Sequence, residues 1–505
     1  MQVKKYTFLA KIGDIKMLYR STRDHSKTAT PTQAVLNGIA PGGGLYMPKD
    51  LLETPFDWKS LLSLSTMEMS EKILHHFLPN FEDMHGIVTR AYTGKFATDE
   101  LTPLVPVGDK YVLELFHGPT AAFKDVALSV LPQLIVAAKK QEKVTDDIMI
   151  LTATSGDTGK AAMEGFRDVD GTRITVFYPK DGVSAVQKAQ MATQEGKNVQ
   201  VCSVVGNFDD AQTGVKEIFT KVDAEDLLAG TGVQLSSANS INIGRLAPQV
   251  VYYFKAYADL VKMGRISVGD CVDYVVPTGN FGNILAGYLA GCLGLPVGKL
   301  ICASNANNVL TDFINTGCYD KKRPFYKTAS PSMDILVSSN LERLLYLLSG
   351  QDCDFVAEKM QELKEKGEYS VPAELLEKLQ DKFCADCSDD AETEKTIGKV
   401  WKEYGYLCDT HTAVAFAAAE RYGEKTGSQA PCVVLSTASP YKFPAAVVKG
   451  LGAEPEKDEF AVMEQLESLT NTTMHRALAG LREKKVLHTD VTDPKDMMQY
   501  VMSSI

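Results

Sequence analysis

The sequence predicts an α/β fold: mostly parallel sheets flanked by helices, with a separate N-terminal domain and a helical insertion. Three observations lead there. From Lys110 onward, apolar runs of strand length alternate with segments whose apolar residues recur at helical spacing, the pattern of a parallel sheet covered on both faces. Most of these runs end in turns of small, hydroxylic or glycine residues, and ligands of such sheets gather at the carboxyl ends of the strands. Between about Asp320 and Gly405 the strand signal gives way to helices with charged outer faces. A chain of 505 residues accommodates roughly three domains. The expected division is an N-terminal domain over 1–100, an α/β core over 101–319 with a small subdomain at about 135–225, a helical insertion over 320–405, a return to the core over 406–450, and a segment over 451–505 without a usable motif.

Taken in order, residues 1–13 hold only a five-residue uncharged run after two lysines, too short for the apolar region of a signal peptide. Tyr19-Arg20-Ser21-Thr22-Arg23 sets two arginines and two hydroxyls where an anion, or only solvent, would meet them. The glycine-proline run over 40–48 must be loop. A strand over 111–116 closes at Gly118-Pro119, and a helix over 121–136 follows, with Thr120 as its N-cap and Lys124 in its first turn. Strands over 147–153, 174–178, 199–205, 273–276 and 432–435 each lead into a polar or glycine-containing turn. The most apolar long window, 284–303, is broken by glycines, Pro296 and Lys299, so it reads as a buried helix and strand and not as a membrane span. Helices are expected over 341–348, 355–364, 373–383 and 391–404.

Composition narrows the function. A net charge of −11 argues against a general nucleic-acid binder or a partner for anionic membranes, though not against a local pocket for one small anion. Ten cysteines scattered without a framework point to reduced thiols in the cytoplasm. Cys384-Ala385-Asp386-Cys387 is a lone CxxC in an acidic segment that reads as helical, with no second pair at zinc spacing. The eight histidines form no HExxH pattern, so no metal is expected. The expected assembly is a monomer or homodimer.

The turns carry the chemistry. Lys124 stands among apolar and small residues on an early helical turn, where the helix dipole and the exclusion of water both favour the neutral amine, a nucleophile able to form a Schiff base. Gly279-Asn280-Phe281-Gly282-Asn283 joins a strand to a helix, so its N–H groups can wrap a phosphate; a plain tight turn is the competing reading. It matches neither G-x-G-x-x-G nor the Walker sequence. Thr154-Ser155-Gly156-Asp157-Thr158-Gly159 offers hydroxyls and N–H groups suited to a substrate carboxylate, or to capping a helix. Ser436-Thr437 sets a hydroxyl where a heterocyclic nitrogen would accept it. A lysine, a phosphate cradle, a carboxylate loop and a hydroxyl at strand ends together fit pyridoxal 5'-phosphate.

The segments from His117 to Asp125, Thr154 to Gly159, Gly279 to Asn283, Ser332-Met333-Asp334-Ile335 with Ser338 to Arg343, and Asp409-Thr410-His411-Thr412-Ala413 resemble the threonine synthases in their long bacterial and fungal form. The likeness covers about residues 15–450. It implies a fold-type-II pyridoxal-phosphate enzyme, similar to the tryptophan synthase β chain, that turns O-phosphohomoserine and water into threonine and phosphate. By the same resemblance Lys124 is the catalytic residue that holds the cofactor and then shuttles protons. Gly279, Asn280, Phe281, Gly282 and Asn283 would seat the cofactor phosphate, and Thr437, before Ser436, would face the pyridine nitrogen. Ser155, Asp157 and Thr158 would hold the substrate carboxylate. Arg245 is the candidate for gripping the substrate phosphate, a core-facing or surface arginine being the competing reading. A phospholyase releasing a keto acid is the nearest alternative reaction. His411 is expected to cap the helix that follows it.

Overall fold

The computed structural model describes residues 17–154, 156–180 and 183–505. The readings of residues 1–13 and of Ser155 lie outside the described residues. The apolar runs form two parallel sheets. The larger has six strands in the order Phe383–Cys387, Val297–Ser304, Val272–Pro277, Cys432–Ser436, Lys110–Glu114 and Leu104–Val107. Its first five strands run parallel and the last is antiparallel to its neighbour. All six residues of the central strand Val272–Pro277 are buried, as a strand covered by helices on both faces requires. The smaller sheet is wholly parallel, in the order Asp490–Thr492, Val199–Val204, Thr172–Pro179, Asp147–Ala153 and Val233–Ser236. An antiparallel three-stranded sheet, Asp24–Ala29, Tyr19–Ser21 and Tyr46–Pro48, belongs to the N-terminal part.

Several elements differ from the sequence reading. The small sheet reaches beyond the bound expected near residue 225, because Val233–Ser236 pairs with one edge strand and Asp490–Thr492 with the other. The insertion over 320–405 contains its expected helices, Leu341–Leu348, Cys353–Glu365, Ala373–Lys382 and Asp390–Tyr404. It is not helical throughout. Phe383–Cys387, which holds the CxxC read as helix, is the edge strand of the large sheet, paired in register from Leu300↔Phe383 to Ser304↔Cys387. Five ladder pairs with a distant strand outweigh a weak local preference.

The expected single helix over 121–136 is two helices, Lys124–Leu128 and Leu131–Glu142. Thr120 caps neither. Ala121 adopts a left-handed φ of 61°, and the Thr120 N–H and hydroxyl instead donate to the Asp125 carboxylate at 2.8 and 2.6 Å. This tight hook begins the lysine helix at Lys124 itself. The lysine helix lies against the helix Asp157–Phe166, and Gly165 makes the approach possible: a Cβ there would run into the carbonyl of Leu128.

That contact gives a stability test. Gly165→Ala is expected to lower the unfolding free energy by about 1–3 kcal/mol through overpacking. Gly423→Ala, in a helix where a Cβ meets nothing within 4 Å, is expected to be neutral or stabilising by about 0.4–1 kcal/mol. Urea unfolding of the two variants beside the parent measures both.

Candidate active site

Sheet topology brings the chemical turns together. Lys124, Thr158, Arg245, the whole stretch from Pro277 to Asn283, Ser332, His411 and Thr437 line one cavity. Backbone bonds sew its walls to each other. Phe123 N–H donates to Thr437 O at 2.9 Å and Ser439 N–H to Ala121 O at 3.1 Å, so the lysine turn and the Ser436–Ser439 turn move as one piece.

Lys124 is 9 % exposed. Its Nζ donates to Ser332 Oγ at 3.3 Å, lies 3.7 Å from Asp157 Oδ2, and sits 4.7 Å from the centre of the Phe123 ring. Burial pushes the proton affinity of this amine below that of an ordinary lysine. Asp157 opposes that shift, and the nearby cations Lys442 and Arg245 add to it. Asp157 itself is buried, which alone would raise its carboxyl, but Lys442 and Lys124 outweigh burial and hold it below the ordinary carboxylate range. Its side chain faces these lysines, while Thr158 lines the cavity.

The turn over 279–283 has the features of an anion cradle. Phe281 is held at a left-handed φ of 63°, a strained conformation that turns successive N–H groups to one side. Gly279 is needed because a Cβ there would lie 2.6 Å from Ser332 O. A Cβ on Gly282 would stand 3.6–3.8 Å from Asn340, Gln249 and Ser240, filling the cradle floor. Ser338 Oγ donates to Gly279 O at 2.9 Å and Asn340 N–H to Asn280 O at 3.1 Å, which fixes the turn from below.

Among the described residues, two buried donors on the cavity wall have no partner: Asn283 Nδ2 and Arg245 Nε. The orientation of Asn283 is set by Tyr252 and Tyr253, whose hydroxyls lie 2.6 and 3.0 Å from its Oδ1. Arg245 spends Nη1 on Ala238 O at 2.7 Å. Unpartnered buried donors are costly, so a bound anion that accepts from them is favoured. Strained N–H groups, a glycine floor and the spare Asn283 donor therefore fit a small phosphorylated cofactor carrying a carbonyl that Lys124 can hold, and Arg245 Nε is left for a second anion. Ser436 is turned away, its Oγ 3.0 Å from Thr412 Oγ1, which leaves Thr437 on the cavity wall.

Two expectations change here. His411 is not a cap. Asp409 caps the helix Thr410–Thr426, accepting from the N–H groups of His411 and Thr412. His411 instead bridges Asp409 and the site: its Nδ1 lies 2.7 Å from Asp409 Oδ2, and its Nε2 accepts Ser332 N–H at 3.1 Å. The anion met by the Tyr19 to Arg23 segment is a residue of this chain, because Thr22 and Arg23 bond the Glu342 carboxylate at the start of the helix Leu341–Leu348. Lys442, missed in the sequence, is fully buried beside Asp157. Its signal was present in Tyr441-Lys442-Phe443, a lone cation between two aromatics, as Lys124 directly follows Phe123.

Three family models match the chain: "Threonine synthase N terminus" over 18–92, "Pyridoxal-phosphate dependent enzyme" over 102–438, and "Threonine synthase, C-terminal" over 412–493. The chain is 41 % identical to Threonine synthase-like 1 of Homo sapiens over 434 residues, 83 % of this chain and 58 % of that protein. It thus spans little more than half the length of that relative. Threonine synthase of Pseudomonas aeruginosa is 41 % identical over 450 residues, 87 % of this chain and 92 % of that one. Among solved structures, the PLP-bound threonine synthase from Brucella melitensis superposes with a TM-score of 0.84 at 37 % identity, covering 96 % of this chain and 99 % of its own.

The bridge through His411 predicts a measurable loss. His411→Leu strips Ser332 N–H of its acceptor and Asp409 of its imidazole partner, and is expected to cost about 1–3 kcal/mol, read as a lower urea midpoint with an unchanged slope.

Proposed function

The chain belongs to the threonine synthase family, and on that premise we propose that it converts O-phospho-L-homoserine and water into L-threonine and phosphate with pyridoxal 5'-phosphate. The observation that carries this reading is that Lys124 and the turn over 279–283 line the same cavity. When bound, the cofactor supplies an electron sink that makes the protons on the α- and β-carbons of the substrate removable. Lys124 Nζ holds the cofactor and, once free, carries those protons, a task that suits a buried amine of lowered proton affinity. Gly279, Asn280, Phe281, Gly282 and Asn283 would seat the cofactor phosphate, and Thr437 would offer its hydroxyl to the ring nitrogen. Arg245, with a spare Nε in the cavity wall, grips the substrate phosphate in two places. The turn of Ser155, Asp157 and Thr158 holds the substrate carboxylate through its N–H groups and hydroxyls, since the Asp157 carboxylate itself is engaged by cations.

A phospholyase that releases a keto acid is the second reading. The same lysine, phosphate cradle and arginine would serve it, the two reactions parting only after the phosphate leaves. For the division of the chain we propose the five parts given above, with strands 383–387, 233–236 and 490–492 joined to the sheets they extend. Among the described residues no helix is long and apolar enough to cross a membrane. All ten cysteines are free thiols, which supports a reducing compartment, the cytoplasm. A small-molecule substrate and a monomeric or homodimeric chain complete the proposal.

Lys124→Ala is expected to abolish both the absorbance of the lysine-bound cofactor and turnover. Retention of either by the variant would refute the assignment. Incubating the parent enzyme with O-phosphohomoserine separates the two reactions, threonine supporting the first and 2-ketobutyrate the second. Arg245→Lys keeps the charge but loses the two-point grip, and is expected to weaken substrate use about tenfold in kcat/KM, roughly 1.4 kcal/mol. Because the free amine must be neutral, activity is expected to fall as pH drops through a Lys124 value set below the ordinary lysine range.

A further inference from the structure

The Asp157 carboxylate is shared by two buried lysines, and only one of them reaches the cavity. Lys124 Nζ stands 3.7 Å from Oδ2 and lines the site. Lys442 Nζ stands 2.6 Å from Oδ1, is wholly enclosed, and also donates to Thr120 O at 3.0 Å. Lys442 holds the carboxylate at hydrogen-bonding distance and Lys124 does not, so Lys442 takes the larger part of the attraction. With both amines protonated the trio carries a net positive charge inside the protein. Burying an unmatched charge is costly, and that cost falls when one amine gives up its proton. Lys124 is the one to do so, since among the described residues its direct contacts other than Asp157 are a serine hydroxyl and an aromatic face.

We infer that Lys442 is a positioning residue for the reaction: by occupying Asp157 it denies Lys124 a full counterion and keeps the Lys124 amine available as a nucleophile and base. The inference rests on the proposed role of Lys124, and it accounts for a fully buried cation that makes no contact with the cavity. The charged and titratable groups facing Lys124 are Asp157 from the Asp157–Phe166 helix, Lys442, Arg245 from the Ile243–Lys262 helix and Asp125 from its own helix. His411 stands behind Ser332. Asp125 has both carboxylate oxygens hooked to Thr120, through its N–H and its hydroxyl, which makes it a poor substitute counterion for Lys124. Arg245 adds to the positive surroundings but touches neither lysine nor Asp157.

The test reads the proton on Lys124 without turnover. Full-length protein freed of cofactor is labelled with acetic anhydride across a pH series, and the acetylated Lys124 peptide is quantified by mass spectrometry. Lys442→Met frees Asp157 for Lys124, so the labelling midpoint is expected to rise by about one pH unit, making labelling at neutral pH about tenfold slower. Lys442→Arg should stay near the parent. In the corresponding holoenzymes the acid limb of the kcat profile, which reports the lysine once substrate has freed it, should move in the same direction. Asp157→Asn is a second variant that leaves no carboxylate to compete for, and its midpoint should fall. An unmoved midpoint in Lys442→Met, or a raised one in Asp157→Asn, overturns the inference and leaves the reaction untouched. Failure of the parent enzyme to act on O-phosphohomoserine would instead sink the proposed reaction.

Discussion

Charge buried beside a reactive amine has to be balanced within the protein, and the site is arranged around that constraint. Lys124, Lys442 and Arg245 are buried together with Asp125, Asp157 and Asp409. Each carboxylate is held by named donors: Asp125 by Thr120, Asp157 by the lysines, and Asp409 by the start of its helix and His411. A charge in a low-dielectric setting is tolerated only when such partners are in place. Their positions therefore fix how the turns can sit, and with them the cavity.

The backbone carries the complementary half of the arrangement. Ala121 and Phe281 are both left-handed, one before the lysine helix and one inside the phosphate turn. Such conformations persist only where their surroundings hold them. The phosphate turn is held by Ser338 and Asn340 and by the close approach of Ser332. That support is itself anchored in the N-terminal part, since Arg343 Nη1 donates to Asn340 Oδ1 at 2.6 Å and Nη2 to Tyr46 O at 3.1 Å, and Arg23 pairs with Glu342. The antiparallel sheet near the N-terminus, distant in sequence, thereby braces the cradle.

The tail after residue 450, which bears no motif, joins the same frame. Its strand Asp490–Thr492 extends the small sheet, and the helix Met497–Met502 lies against Phe208–Glu225. His488 N–H and Leu487 N–H both donate to Ala192 O, so the tail fastens the small lobe on which Asp157 and Thr158 ride.

What the sequence determined by itself was whatever local periodicity and turn chemistry encode. Alternation of short apolar runs with helical spacing was enough for the parallel sheets. The glycines and hydroxyls after the strands were enough to expect Lys124, Thr158, the 279–283 turn and Thr437 at one cavity, where they lie. What depended on partners far along the chain only the tertiary structure decided. Phe383–Cys387 is a strand because Val297–Ser304 lies beside it. Arg23 is structural because Glu342 meets it, His411 belongs to the site because Ser332 does, and Lys442 matters because folding sets it against Asp157. Propensity is a property of neighbours in sequence, whereas pairing energies and the matching of buried charge arise between residues hundreds of positions apart. A local reading cannot weigh those terms until the chain has closed on itself.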